Sequence, residues 1–334
     1  MSAVLVVGGA GYVGSHIVRR LAHSNREIVV LDDLREGHRQ AVNDVRLIEG
    51  DFGDASVLDE VLSGGRIRYV VHMAASCLVG ESVTDPAKYY ENNLVRSLTL
   101  LDQIRRHGVT GIVFSSSAAV YGDPVDLPIR EENPTMPTNP YGETKLAFER
   151  ALAWFHRAYG IRYASLRYFN AAGAHPDGDL GEDHEPESHL IPRLLQSVRD
   201  GGPATPVFGE DYPTSDGTCI RDYVHVVDLA EAHALAIEAL EKGAVDAESF
   251  NLGNGEGFSV KEVIETITRV TGTRPSTERA PRRAGDPAIL VASATRAARR
   301  LAWKPAFSSL EEIVRTAWEW HRTHPDGYGD RSLS

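Results

Sequence analysis

Short apolar runs recur along the first half of the chain, at residues 3–7, 28–31, 45–48, 69–73, 111–115 and 162–166. Between most of them the apolar positions return every three or four residues, the spacing of one helix face. The clearest stripe is Phe148, Leu152, Phe155 and Tyr159, closed by Gly160 at a predicted C-cap. Strand and helix patterns that alternate in this way predict a Rossmann-type, doubly wound parallel sheet with helices on both faces.

The texture changes after residue 170. Gly, Pro and acidic residues crowd 170–186, and strand patterns become isolated. Segments 224–240 and 249–252 still read as a helix and a strand that return to the sheet. The expected organisation is therefore a sheet-based domain over 1–170, rejoined by 218–252. A smaller mixed α/β substrate lobe is expected from 171–217 and 253–334.

Composition narrows the function classes. The 334 residues are 42% hydrophobic and carry a net charge of -12, which disfavours a nucleic-acid surface. No basic leader pattern opens the sequence, and no apolar stretch is long enough to cross a membrane. Cys77 and Cys219 cannot build a disulfide framework and fit a reducing compartment, so the expected location is the cytoplasm. The 13 histidines include no HExxH or paired-cysteine spacing, and His321 and His324 read as surface residues; no metal is expected.

Two motifs carry chemistry. The first run leads into Gly8-Gly9-Ala10-Gly11-Tyr12-Val13-Gly14 and then a helix pattern. Glycines there permit a tight turn and let backbone N–H groups approach a pyrophosphate. Asp32 ends the next run, where a carboxylate meets ribose hydroxyls. Asp32 and Asp33 together repel a 2'-phosphate, which favours NAD over NADP, although Arg35 lies close. Asp51 ends the third run and is a candidate for the adenine amine. The second motif is Tyr141-Gly142-Glu143-Thr144-Lys145, a phenol and an ammonium on one helix face. A free phenol ionises near ~10; a neighbouring lysine and a nicotinamide cation both favour the phenolate and turn it into a base.

With "GGAGYVGSH", "SSSAAVYG", "NPYGETK", "LRYFNAAGAHPDG", "DYPTSDGTCIRDYVHVVDLA" and "PRRAGD", the chain resembles the extended short-chain dehydrogenase/reductase family, in particular its UDP-sugar 4-epimerase branch, over nearly its whole length. The resemblance implies Ser117 as the catalytic hydroxyl beside Tyr141 and Lys145, with Ser115 supporting the cofactor. It implies NAD contacts at Gly8, Gly11, Tyr12, Val13, Gly14, Asp32, Asp33, Asp51, Phe52, Met73, Ala74, Ala75, Asn92, Ser115, Tyr141, Lys145 and Tyr168. For a UDP-sugar it implies Ser117, Tyr141, Asn170, His189, Leu190, Phe208, Arg221, Tyr223, Arg283, Asp286 and Leu290. Without it, Arg221 and Asp222 read equally as an ion pair.

The implied reaction interconverts UDP-glucose and UDP-galactose through a 4-keto sugar; the alternative is another UDP-sugar, such as an N-acetylhexosamine, a pentose or a uronate. Related 4,6-dehydratases carry an Asp-Glu pair directly after the catalytic hydroxyl. Ala118 and Ala119 stand here instead and have no proton to give or take. Cys77 replaces a lysine found in some members, and Leu290 replaces a tyrosine of members restricted to the non-acetylated sugars. A homodimer built from helices over 85–107 and 141–159 is implied as well.

Overall fold

The computed structural model describes residues 3–24, 26–283 and 286–329. Its central sheet has seven parallel strands. Six are β1 (Ala3–Val7), β2 (Glu27–Asp32), β3 (Arg46–Glu49), β4 (Ile67–His72), β5 (Gly111–Ser117) and β6 (Arg162–Tyr168), and the seventh is Ala247–Leu252. From edge to edge the order is Ala247–Leu252, β6, β5, β4, β1, β2, β3. Chain order runs outward in one direction from β1 and in the other from β4. A crevice therefore opens at the carboxyl ends of these two strands.

Alternation along β1 supplies both apolar layers. Val4 and Val6 pack with Ile17, Leu21, Leu229 and Ile237 on one face. Leu5 and Val7 pack with Leu100, Ile104, Phe114, Phe148 and Leu152 on the other. The stripe on helix Pro140–Tyr159 is thus core at Phe148 and Leu152, while Tyr159 at its end is exposed. Gly160 ends that helix with φ +71°, a left-handed cap that glycine adopts without strain. Helix Val226–Glu241 covers the sheet, and Ala247–Leu252 pairs with β6.

The remaining segments gather around a separate apolar cluster. Helices Leu190–Asp200, Val260–Thr271 and Leu310–Thr323 meet through Leu194, Leu195, Val263, Ile267, Ile313 and Val314. Strand Ile220–Arg221 lies between Phe258–Ser259 and Ile289–Leu290. One surface expectation fails here. His321 is buried, because it extends the inward stripe of Leu310, Val314 and Ala317; His324 stacks on Trp320 at 3.8 Å. Near the start of helix Pro140–Tyr159, Lys145 reaches the carboxyl end of β5 at Ser115.

Candidate active site

Gly8 leaves β1 at φ +76°, and its N–H donates to Leu31 O at 2.9 Å. A Cβ on Gly8 would strike the backbone of Ala74, and one on Gly14 would strike Gly8 O. Helix Tyr12–Ala22 begins at Gly11 with no side-chain cap and no acid in its first turn. Its leading amides are therefore left for an external anion. Gly14→Ala is expected to abolish dinucleotide retention while most of the fold survives. Nucleotide released from denatured protein and measured by chromatography checks this.

Asp32 is buried beside this loop, where its carboxylate accepts Ala10 N at 2.8 Å and Leu34 N at 2.9 Å. Burial raises its pKa. Arg35 turns onto Asp33, with Nε 2.7 Å from the carboxylate, so the nearby cation is already engaged. Asp51 accepts from Gly53 N at 2.7 Å and from Arg96 at 2.6 Å. Phe52 is buried with its ring 5.2 Å from His72. The amides of Met73 and Ala74 both donate to Val7 O, at 2.8 and 3.1 Å, which carries the chain past Ala75 along the crevice. Asn92 sits in the π-helical turn Tyr90–Val95, a conformation that recurs at functional sites. Its Nδ2 donates to Ser76 Oγ at 3.2 Å, and its Oδ1 is buried with no hydrogen-bond partner. Close backbone approach, open amides, a ribose-type carboxylate and an orphaned acceptor together fit a dinucleotide.

The three serines of β5 divide their work. Ser115 Oγ bonds the Tyr168 hydroxyl, and Ser116 Oγ donates to Glu149 at 2.5 Å. Ser117 is the last strand residue; it accepts Ala119 N at 3.2 Å, and its hydroxyl stands near enough to Tyr141 to draw that phenol's pKa down. Asn139 caps the next helix by accepting Gly142 N at 2.9 Å, and Pro140 fits its first turn. That cap aims Tyr141 at Ser117 and puts Lys145 one turn on. Lys145 Nζ donates to Ser115 O at 2.8 Å and lies 5.7 Å from the Tyr141 ring centroid.

Burial holds the Lys145 ammonium down at about 8. Burial pushes the Tyr141 phenol well above its usual value, and the nearby Ser117 hydroxyl only partly opposes this. The phenol therefore stays protonated in the protein alone. A cation supplied beside it is needed to make it a base.

The expected substrate residues form a second group. Arg221 and Asp286 are ion-paired, Asp286 N donates to Arg283 O at 3.3 Å, and the Arg283 guanidinium stands 3.9 Å over the Phe208 ring. The Arg221–Asp222 ion pair is not formed. Asp222 is buried and instead accepts the amides of Asn254, Gly255 and Ala292, at 2.8, 3.1 and 3.1 Å. Burial, partly offset by those amides, pushes it up to about 6. Tyr223 is buried, and Asn170 is exposed with its N–H on Asp222 O at 3.0 Å. Leu290 packs beside Val120, Tyr121, Ile129 and Leu146; Leu190 opens its helix with His189 before it.

Two buried residues behind the catalytic strand were missed in the sequence. Glu149 pairs with Arg167, which also donates to the Tyr121 hydroxyl at 2.9 Å; Tyr121 in turn donates to Asn251 at 2.7 Å. The available signal was Glu149 itself, one turn beyond Lys145 on the same helix face.

A dinucleotide crevice with a Ser–Tyr–Lys constellation at its edge defines a nucleotide-dependent enzyme of the dehydrogenase/epimerase class. Residues 4–253 match the NAD dependent epimerase/dehydratase family, and the chain belongs to that family. It is 54% identical over 326 residues to a UDP-glucose 4-epimerase of Halalkalibacterium halodurans, covering 98% of this chain and 97% of that one. The crystal structure of UDP-glucose 4-epimerase from Brucella ovis in complex with NAD superimposes with a TM-score of 0.92 at 48% identity, over 96% of this chain and 99% of that one. The enzyme from Bifidobacterium longum in complex with NAD+ and UDP gives 0.92 at 37% identity, over 98% and 100%.

Proposed function

We propose that this protein is an NAD-dependent UDP-glucose 4-epimerase that interconverts UDP-glucose and UDP-galactose through a transient 4-keto sugar. The observation that carries the reading is the Ser117–Tyr141–Lys145 constellation at the strand tip, followed by Ala118 and Ala119. Full-length similarity to proteins of that name, and to structures holding NAD and UDP, supports it.

NAD supplies a reversible hydride acceptor for C4, and its nicotinamide charge favours the Tyr141 phenolate. Gly8, Gly11, Tyr12, Val13 and Gly14 hold the pyrophosphate; Asp32, Asp33 and Asp51 hold the adenosine half. Phe52, Met73, Ala74, Ala75, Asn92, Ser115 and Tyr168 line the remaining contacts. Tyr141 removes the proton from the C4 hydroxyl and later returns it to the 4-keto oxygen. Ser117 orients that hydroxyl, and Lys145 stabilises the phenolate. Arg221 and Arg283 hold the diphosphate in the paired geometry suited to guanidinium. Asp286 binds the uridine ribose, Phe208 flanks uracil, and Asn170, His189, Leu190, Tyr223 and Leu290 complete the pocket. Fixing the nucleotide while the sugar turns exposes the other face of C4. Ala118 and Ala119 offer no acid or base at C5 or C6, so elimination of water has no catalyst. Purified protein incubated with UDP-galactose and no added NAD should reach the UDP-glucose equilibrium without net NADH; stoichiometric NADH would make it a dehydrogenase.

The Lys145 charge costs stability. Its pKa falls from 10.5 in the unfolded chain to about 8 in the fold, because burial penalises the ammonium. The unfolded state thus holds the extra proton between these values, and stability rises with pH across that window. Below about pH 8 the penalty is fully present. Lys145→Met is therefore expected to lose activity yet gain up to ~2 kcal/mol at pH 7, after the lost Ser115 contact is counted. The gain should shrink as pH rises through the window, as followed by chemical denaturation.

The two-part division at 1–170 with 218–252, against 171–217 with 253–334, belongs to the same reading. So does a cytoplasmic location; no described helix is long and apolar enough to cross a membrane. A homodimer is supported by an exposed apolar set on helices over 79–106 and 140–159, comprising Val83, Tyr90, Val95, Leu98, Trp154 and Tyr159. Trp154→Glu should shift the mass measured by light scattering towards one chain. Leu290 is shorter than a tyrosine and leaves room beside the sugar, so UDP-N-acetylglucosamine should turn over in wild type and fail in Leu290→Tyr.

A further inference from the structure

Away from the catalytic constellation, four side chains from the segment Glu182–His189 converge on one point. Their order is Glu-x-His-x-x-Glu-x-His, and one donor atom from each lies within 4.8 Å of all the others. Glu182 Oε1 is 3.3 Å from His184 Nδ1 and 2.8 Å from His189 Nδ1. His184 Nδ1 is 3.7 Å from Glu187 Oε2. A tetrahedral ion bound by nitrogen and carboxylate oxygen at ~2.0–2.1 Å spaces its ligands by about 3.3–3.5 Å. These separations bracket that value.

Hydrogen bonding accounts for part of the cluster only. Glu187 Oε1 accepts the amides of Ser188 and His189, both at 2.7 Å. Its Oε2 has no hydrogen-bond partner, although the side chain is only 5% exposed. His184 Nδ1 is buried and makes no well-aligned hydrogen bond, its nearest carboxylate oxygen being Glu182 Oε1 at 3.3 Å. His189 Nδ1 also lies 3.1 Å from Glu187 Oε1, whereas His184 Nδ1 and Glu187 Oε2, 3.7 Å apart, are left without a hydrogen bond, which is costly in a buried site. An ion between them satisfies both.

We infer that Glu182, His184, Glu187 and His189 bind one divalent transition-metal ion of the zinc type. Two imidazoles and two carboxylates as donors suit zinc better than the oxygen-rich shells of calcium or magnesium. With four protein ligands the site is closed and structural. The His184 ring stands edge-on to Tyr12 of the glycine loop at 6.3 Å, Trp320 Nε1 donates to Glu182 O at 3.1 Å, and Leu190 opens the next helix. The ion therefore ties the dinucleotide loop to the substrate lobe and fixes His189. This inference does not depend on which sugar is epimerised.

The full chain, stripped with a chelator and incubated with zinc, should keep about one equivalent after desalting, as measured by mass spectrometry of the metal. Cobalt(II) in its place should give the intense visible absorption of a tetrahedral site. His184→Ala and Glu187→Gln are each expected to weaken zinc affinity by at least ~10–100-fold. Failure of the stripped wild-type chain to retain zinc would overturn the inference. So would retention by both folded variants equal to wild type.

Discussion

Tyr141→Phe is expected to lower kcat by ~10²–10⁴-fold, the range for losing a general acid–base, while leaving bound NAD and thermal stability near wild type. The substitution removes one hydroxyl, which lies beside the Ser117 side chain. The ring keeps its edge-on contact with Tyr89 at 6.4 Å. KM should change little, because the proposed diphosphate contacts, Arg221 and Arg283, are untouched. Full activity in this variant would remove Tyr141 from the mechanism. Ser117→Ala should cost less, since it positions the same proton without carrying it.

Arg167→Leu is expected to destabilise the fold by ~3–5 kcal/mol, because it strands the Glu149 carboxylate in the core. Both side chains are less than a tenth exposed. Glu149 also accepts Ser116 Oγ, so the damage reaches the strand that carries Ser117. The paired change Arg167→Leu with Glu149→Leu should recover most of the loss, since removing both partners leaves no unpaired charge. The denaturation midpoints of the single and double variants check this. Equal losses in the two would mean that the ion pair itself, rather than the stranded charge, sets the cost.

The sheet was readable because β1, β2, β4 and β5 carry apolar runs of a kind that a strand covered on both faces demands. Reading β5 as ending at 115 was wrong by two residues for a physical reason. Three serines look like a strand end, yet Ser115 and Ser116 are buried and satisfied by Tyr168 and Glu149, so the strand continues to Ser117. The glycine loop and the Tyr–Lys pair were legible because each is local: its geometry is set within a few residues. The Arg221–Asp286 pair joins positions 65 apart through strands only two residues long, which leave no periodicity to read. His321 was misplaced for a similar reason, since a histidine in an apolar stripe shows its burial only after the lobe is assembled.

The central claim is that hydrogen leaves C4 and returns to the same carbon within one binding event. UDP-galactose carrying deuterium at C4 tests it directly, with product examined by mass spectrometry in ordinary water. The account predicts that UDP-glucose keeps the full label, with no solvent hydrogen at C4. Loss of the label to solvent, or its appearance in free NADH, would contradict it.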